Sequence, residues 1–386
     1  MNNSLKLARF VALDSSHLVN LARELHAPDP ATRAAALALL DALATGNDIL
    51  VLSFHHFQEL LVYGDARVVA EQIRILEALP LVALVTNQRG DGVAGSILEL
   101  QSAEVLAAFR EPRATPRMIR NTVANGIFQL TSGAEAVRVF QRELPLLQPE
   151  FVRMAARSRE IVAISRSDFA GVEHRKVSEF LNGKLRSPLD IQRNLVRLGD
   201  ALESDILRHG DKKIPDGGAI SAAFMADIAE RGRALAGSAN PGLQILAWSD
   251  VDPDEITSET TVGEIGDWAA FRTKLKQINR ILDLPWQELK RSVSENRLPS
   301  GIIDRSLKQF RPRSAEWKGS DLIDTHLASL APYCDITFVD KRTHEGLQIA
   351  RKKMKDLDTI LRRAEKAKNT RVVAEQLTKW RHPSRN

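Results

Sequence analysis

Apolar runs of about five residues alternate with amphipathic stretches over the first hundred residues. Residues 8–14 (Ala-Arg-Phe-Val-Ala-Leu-Asp) read as a short buried strand ending in a carboxylate, with Ser15 and Ser16 behind it as helix N-cap residues. Helical spacing follows through Leu18, Leu21, Ala22 and Leu25 until Pro28 and Pro30. Ala31–Thr45 predicts a second helix, Asp48–Leu52 a second strand, and Phe54, Phe57, Leu60 and Leu61 a third helix that carries Glu59. A helix over Arg67–Leu79, a strand over Leu81–Thr86 and a helix over Ser96–Phe109 complete the series. Such alternation predicts an α/β fold with a central parallel sheet and helices on both faces.

Beyond residue 110 the pattern becomes mostly helical. Arg117–Leu130, Ala134–Leu144, Pro149–Arg157, Leu189–His209, Ile220–Leu235, Asp267–Leu282 and Trp286–Glu295 all carry helical spacing, and Leu243–Trp248 is one candidate strand. The first pattern returns near residue 319. Asp321–Leu330 predicts a helix and Asp335–Val339 a strand ending at Asp340. A long basic helix then runs through Ala350, Met354, Leu357, Leu361 and Ala364. The expected organisation is a split α/β domain, 1–110 and 319–350, around a helical insertion at 111–318, with a basic helical tail at 351–386.

Composition narrows the function classes. No apolar run approaches the ~18–20 residues of a membrane span, and the N-terminal stretch is too short for a signal peptide. The single cysteine, Cys334, excludes an internal disulfide and a cysteine-built zinc site. The expectation is a cytoplasmic protein with no membrane partner. The net charge of +5 is unevenly spread. Residues 1–100 hold 7 Lys and Arg against 11 Asp and Glu, whereas residues 341–386 hold 14 against 5. A +9 terminus beside an acidic domain suggests a polyanionic partner.

The candidate chemistry lies in carboxylates. Asp14 and Asp340 end strands, where parallel α/β sheets build their sites. Glu59 lies on the helix after the second strand, and Asp321 and Asp324 lie one turn apart on a helix that can lean over the same edge. Several carboxylates in one cleft repel each other unless they hold cations. Hard oxygen ligands suit Mg²⁺ or Mn²⁺, and such ions can activate water against a phosphodiester. The helix start at Ser15 and Ser16 offers donors for a phosphate. Lys341, Arg342, Arg351, Lys352 and Lys353 would grip a nucleic-acid backbone.

Val11-Ala12-Leu13-Asp14-Ser15-Ser16, Leu52-Ser53 with Glu59, Asp321-Leu322-Ile323-Asp324 and Phe338-Val339-Asp340 together resemble the four acidic motifs of PIN-domain nucleases. The resemblance covers roughly residues 5–105 and 318–350 and implies a three-layer α/β/α sandwich. It implies a metal-dependent endoribonuclease, with RNA favoured over DNA. Asp14, Glu59, Asp321 and Asp340 would be catalytic metal ligands, and Asp324 an accessory one. It also allows a toxin or defence role, a homodimer and an antitoxin-like partner protein. The alternative is a non-catalytic module that keeps the shape for nucleic-acid binding or protein assembly.

Overall fold

The computed structural model describes residues 8–381 apart from 46, 63–65, 88–89, 91, 168–170, 172, 182–187, 237–245, 313 and 315. The chain begins with β1 (Arg9–Leu13), α1 (Ser15–Glu24), α2 (Pro30–Thr45), β2 (Asp48–Leu52), α3 (Phe54–Leu61), α4 (Ala66–Glu77), β3 (Val82–Val85) and α5 (Ile97–Arg110). It continues with α6 (Pro116–Ala124), β4 (Phe128–Thr131), α7 (Gly133–Arg166), α8 (Val177–Leu181), α9 (Pro188–His209), α10 (Gly217–Ala236) and α11 (Val262–Leu282). The last third holds α12 (Trp286–Ser292), α13 (Pro299–Phe310), α14 (Ser320–Ala328), β5 (Ile336–Val339), α15 (Lys341–Lys353), α16 (Lys355–Ile360), β6 (Arg363–Lys366) and α17 (Thr370–Arg381).

The chain divides into two compact units. The first comprises Met1–Ala155, Gln287–Arg313 and Leu322–Asn386, and the second Ala156–Trp286 and Ser314–Asp321. The first unit contains one six-stranded sheet in the order β4-β3-β2-β1-β5-β6. Its pairings are parallel except β3 with β4, which is antiparallel, so the sheet is mixed where a parallel one was expected. Every residue of β2, β3 and β5 is buried. Successive strand residues point to opposite faces, so both faces of these strands are covered. Among the described residues, no helix is long and apolar enough to cross a membrane.

Chain order reverses at β1. The chain moves from β1 to β2 and β3 on one side, then returns to place β5 and β6 on the other. Leu13 pairs with Phe338, so the carboxyl ends of β1 and β5 lie side by side at this switch point. Asp335 immediately precedes β5 at the opposite edge, where it accepts from the Phe10 N–H (2.8 Å) and from Arg362 Nη1 (2.6 Å).

Three further expectations change. The insertion is shorter than 111–318, because β4 pairs with β3 and α13 packs on α15 through Ile302, Ile303, Leu307, Leu347 and Ala350. The described part of the expected tail, residues 351–381, is no single helix. Helix α15 stops at Met354, whose backbone is extended (φ −119°, ψ 102°), and β6 extends the sheet. Leu357, Ile360, Leu361, Ala364, Val373 and Leu377 from this region are buried. Finally, Leu246–Trp248 of the candidate strand is helical, and its earlier residues lie outside those described. The second unit has small apolar cores of its own, one around Val177, Leu246, Val251 and Ile265, another around Ala163, Leu202 and Ile206.

Candidate metal centre

Both strand-end aspartates are also helix caps. Asp14 precedes α1 and takes the Ser16 N–H on Oδ1 at 2.8 Å. Asp340 precedes α15 and takes the N–H groups of Arg342 and Thr343 on Oδ1 at 2.8 and 3.3 Å. Each cap uses one oxygen and fixes the carboxylate's orientation with orphan helix donors. Capping and site chemistry therefore share one side chain.

The third member comes from α14. Asp14, Asp324 and Asp340 each offer an oxygen, and these atoms lie within 4.8 Å of one another. An all-carboxylate set of this spacing fits a hard divalent cation. Asp14 is 7% exposed, and Asp324 is also largely covered. Leu13, His56, Leu327, Leu330 and Phe338 line a small cavity together with Asp14 and Asp324. Burial pushes the Asp324 carboxyl well above its usual range, and the charge of Asp14 adds to that. At Asp340 burial works upward too, but the Thr343 side chain, Arg311 and the cap N–H groups outweigh it and hold the carboxyl low.

Histidine 56 anchors the edge beneath the cluster. Its Nδ1 lies 2.9 Å from the Ser53 N–H, which can only donate, so Nε2 carries the proton and donates to the Leu13 carbonyl at 3.0 Å. Complete burial lowers its pKa to about 4. The neutral ring thus ties the start of α3 to the residue before Asp14. One turn on, Glu59 is half-buried and lies outside the three-aspartate group. Burial raises its carboxyl to about 7, and the Asp14 charge contributes to the rise. His326, close to Asp324 in sequence, places its ring 5.0 Å from that of His55.

Asp321 goes elsewhere. Its side chain is fully buried and pairs with Arg166 Nη1 at 2.8 Å, and both residues belong to the second unit. The α14 carboxylate of the cluster is therefore Asp324, which the sequence had cast as an accessory. Three helical positions differ by about 60° in direction, enough to send the two side chains to different partners. Ser15 is buried and Ser16 exposed. Lys341 is exposed and Arg342 half-buried in the first turn of α15. Arg351, Lys352 and Lys353 occupy its last turn, roughly 16–20 Å along the axis at 1.5 Å per residue. Arg351 pairs there with Asp358 at 2.9 Å.

Arg311 belongs to the site and no sequence spacing marked it. Its side chain is 5% exposed, and Nη2 lies 2.9 Å from Asp324 Oδ2 and 3.2 Å from Asp340 Oδ2. No family model matches this chain, and no curated protein or solved structure matches it significantly.

Proposed function

We propose that this chain is a divalent-metal-dependent nuclease with a PIN-like three-layer fold, acting on RNA. The observation that carries the reading is the convergence of Asp14, Asp324 and Asp340 at the switch point of the sheet. Mg²⁺ or Mn²⁺ held there would supply an activated water and charge stabilisation for a phosphodiester. Glu59, whose carboxyl burial raises to about 7, would exchange a proton at neutral pH. The N-terminal turn of α15, with Lys341 and Arg342, would supply N–H donors and positive charge to the phosphate.

The test is incubation of the purified protein with labelled RNA and DNA in Mg²⁺, Mn²⁺ or EDTA, alongside Asp14→Asn and Asp340→Asn. Cleavage of RNA that needs metal and is lost in both variants is the expected result. Cleavage that survives both substitutions rejects the assignment.

One observation favours a second reading. Arg311 already neutralises part of the cluster, as it would in a non-catalytic module whose aspartates serve only to hold the fold. Salt-dependent RNA binding without metal-dependent cleavage would support that reading.

A further inference from the structure

We propose that Arg311 is a built-in cation holding the place of the divalent ion, so that metal loads the site only by displacing its guanidinium from Asp324 and Asp340. The inference rests on the metal-site reading above and names a regulation of that same site. Asp340 commits Oδ1 to the N–H groups of Arg342 and Thr343. Its oxygen open to a metal is Oδ2, and Arg311 holds that atom. The same Nη2 holds Oδ2 of Asp324. A metal ion drawing these oxygens to about 2.0–2.2 Å would stand within roughly 4 Å of the guanidinium, where two positive charges repel.

The contact is built into the fold. Arg311 follows α13 in an extended conformation (φ −65°, ψ 127°), with its N–H still bonded to the Leu307 carbonyl. Helix α15, the helix capped by Asp340, passes so close that a Cβ at Gly346 would lie 2.9 Å from the Arg311 Cα. Glycine at 346 therefore lets the Arg311 backbone lie against the helix that presents Asp340. Arg311 Nη1 also reaches Thr325 Oγ1 at 3.4 Å, beside Asp324. Occupation by an internal guanidinium makes the affinity for free metal lower than three converging carboxylates would otherwise give.

Mn²⁺ binding, followed by the paramagnetic resonance signal of the free ion, tests this on the full chain without substrate. Arg311→Gln is expected to bind Mn²⁺ about tenfold more tightly than the parent, which corresponds to ~1.4 kcal/mol. Arg311→Lys, which keeps the charge without the fork, is expected to fall between them. Lys308→Gln controls for removal of one exposed charge, on the helix that leads into Arg311, and is expected within about twofold of the parent. Circular dichroism establishes folding. Should Arg311→Gln not fold, Arg311→Lys carries the test, with about threefold tighter binding in support and unchanged binding against. A folded Arg311→Gln no tighter than the parent overturns the proposal, as does equal tightening in Lys308→Gln or an absence of Mn²⁺ binding in every variant. Failure to cleave RNA, with the Mn²⁺ result as expected, removes the nuclease reading and leaves the displacement intact.

Discussion

At the scale of single residues, two aspartates three positions apart make the sharpest contrast. Asp324 meets Asp14 and Asp340, while Asp321 meets Arg166 in the second unit. Asp324→Asn is expected to weaken Mn²⁺ binding at least tenfold, a loss readable by the same resonance titration. Asp321→Asn is expected to leave Mn²⁺ affinity within about twofold of the parent. It should instead cost about 3 kcal/mol of stability in urea unfolding, because it removes the buried carboxylate charge that faces the Arg166 guanidinium. Equal metal defects in the two variants would contradict this division. Asp14 and Asp340 were legible in the sequence because each ends an apolar run. The choice between Asp321 and Asp324 was not, since both fit a helix leaning over the edge and only packing decides the rotation. Arg311 was illegible for another reason: it lies 29 residues before Asp340 and reaches the site from an extended stretch.

At the scale of elements, helix ends are joined by buried polar groups. The N-cap residue of α13, Leu298, offers no side-chain acceptor. Glu104, completely buried on α5, supplies it by accepting from the Ser300 N–H (3.0 Å), the Ser300 hydroxyl (2.6 Å) and the Tyr333 hydroxyl (2.7 Å). Glu104→Ala would orphan these donors and is expected to cost about 3–5 kcal/mol in urea unfolding. Burial raises Glu104 to about 7, so its folded form holds the proton more firmly than the unfolded chain. Its contribution is fully present below about pH 4.5 and is lost as pH rises to about 7. His56 has the opposite sign, because its folded pKa is lowered to about 4. Its contribution is present above about pH 6.5 and lost as pH falls toward 4. The two slopes oppose each other between pH 4.5 and 6.5. Glu104→Gln is expected to unmask the histidine, giving stability that falls more steeply with acid than in the parent. Parallel pH profiles of the two proteins would contradict the assignment. None of this network was visible in the sequence, where Glu104 sits among ordinary helix residues and Ser300 lies 196 positions away.

At the scale of the whole molecule, the first three strands were legible because they are apolar runs bounded by turn residues. Strands β4 and β6 were not. Phe128–Thr131 is short and half-exposed, and Arg363–Lys366 is mostly polar. Their strand character comes from the neighbouring edge they pair with. The basic C-terminus looks like an appendage in the sequence for the same reason. Truncation after Met354 would remove β6 and α17 together with buried Leu357, Ile360, Val373 and Leu377. The expected result is loss of cooperative unfolding, where a simple tail would leave the melting curve unchanged. Nucleic-acid grip is better tested by Lys352→Gln and Lys353→Gln in the intact chain. If these side chains touch phosphates, the slope of log K against log salt should fall by about 0.7 for each lost contact to a single strand. An unchanged slope would place the backbone path elsewhere.

The most direct test of the central claim is anomalous diffraction from crystals soaked in Mn²⁺. One manganese peak is expected within about 2.0–2.5 Å of oxygens from Asp14, Asp324 and Asp340, with the Arg311 guanidinium moved off both of its carboxylates. A guanidinium still bridging Asp324 and Asp340 in saturating Mn²⁺, with no peak among the three aspartates, would contradict it.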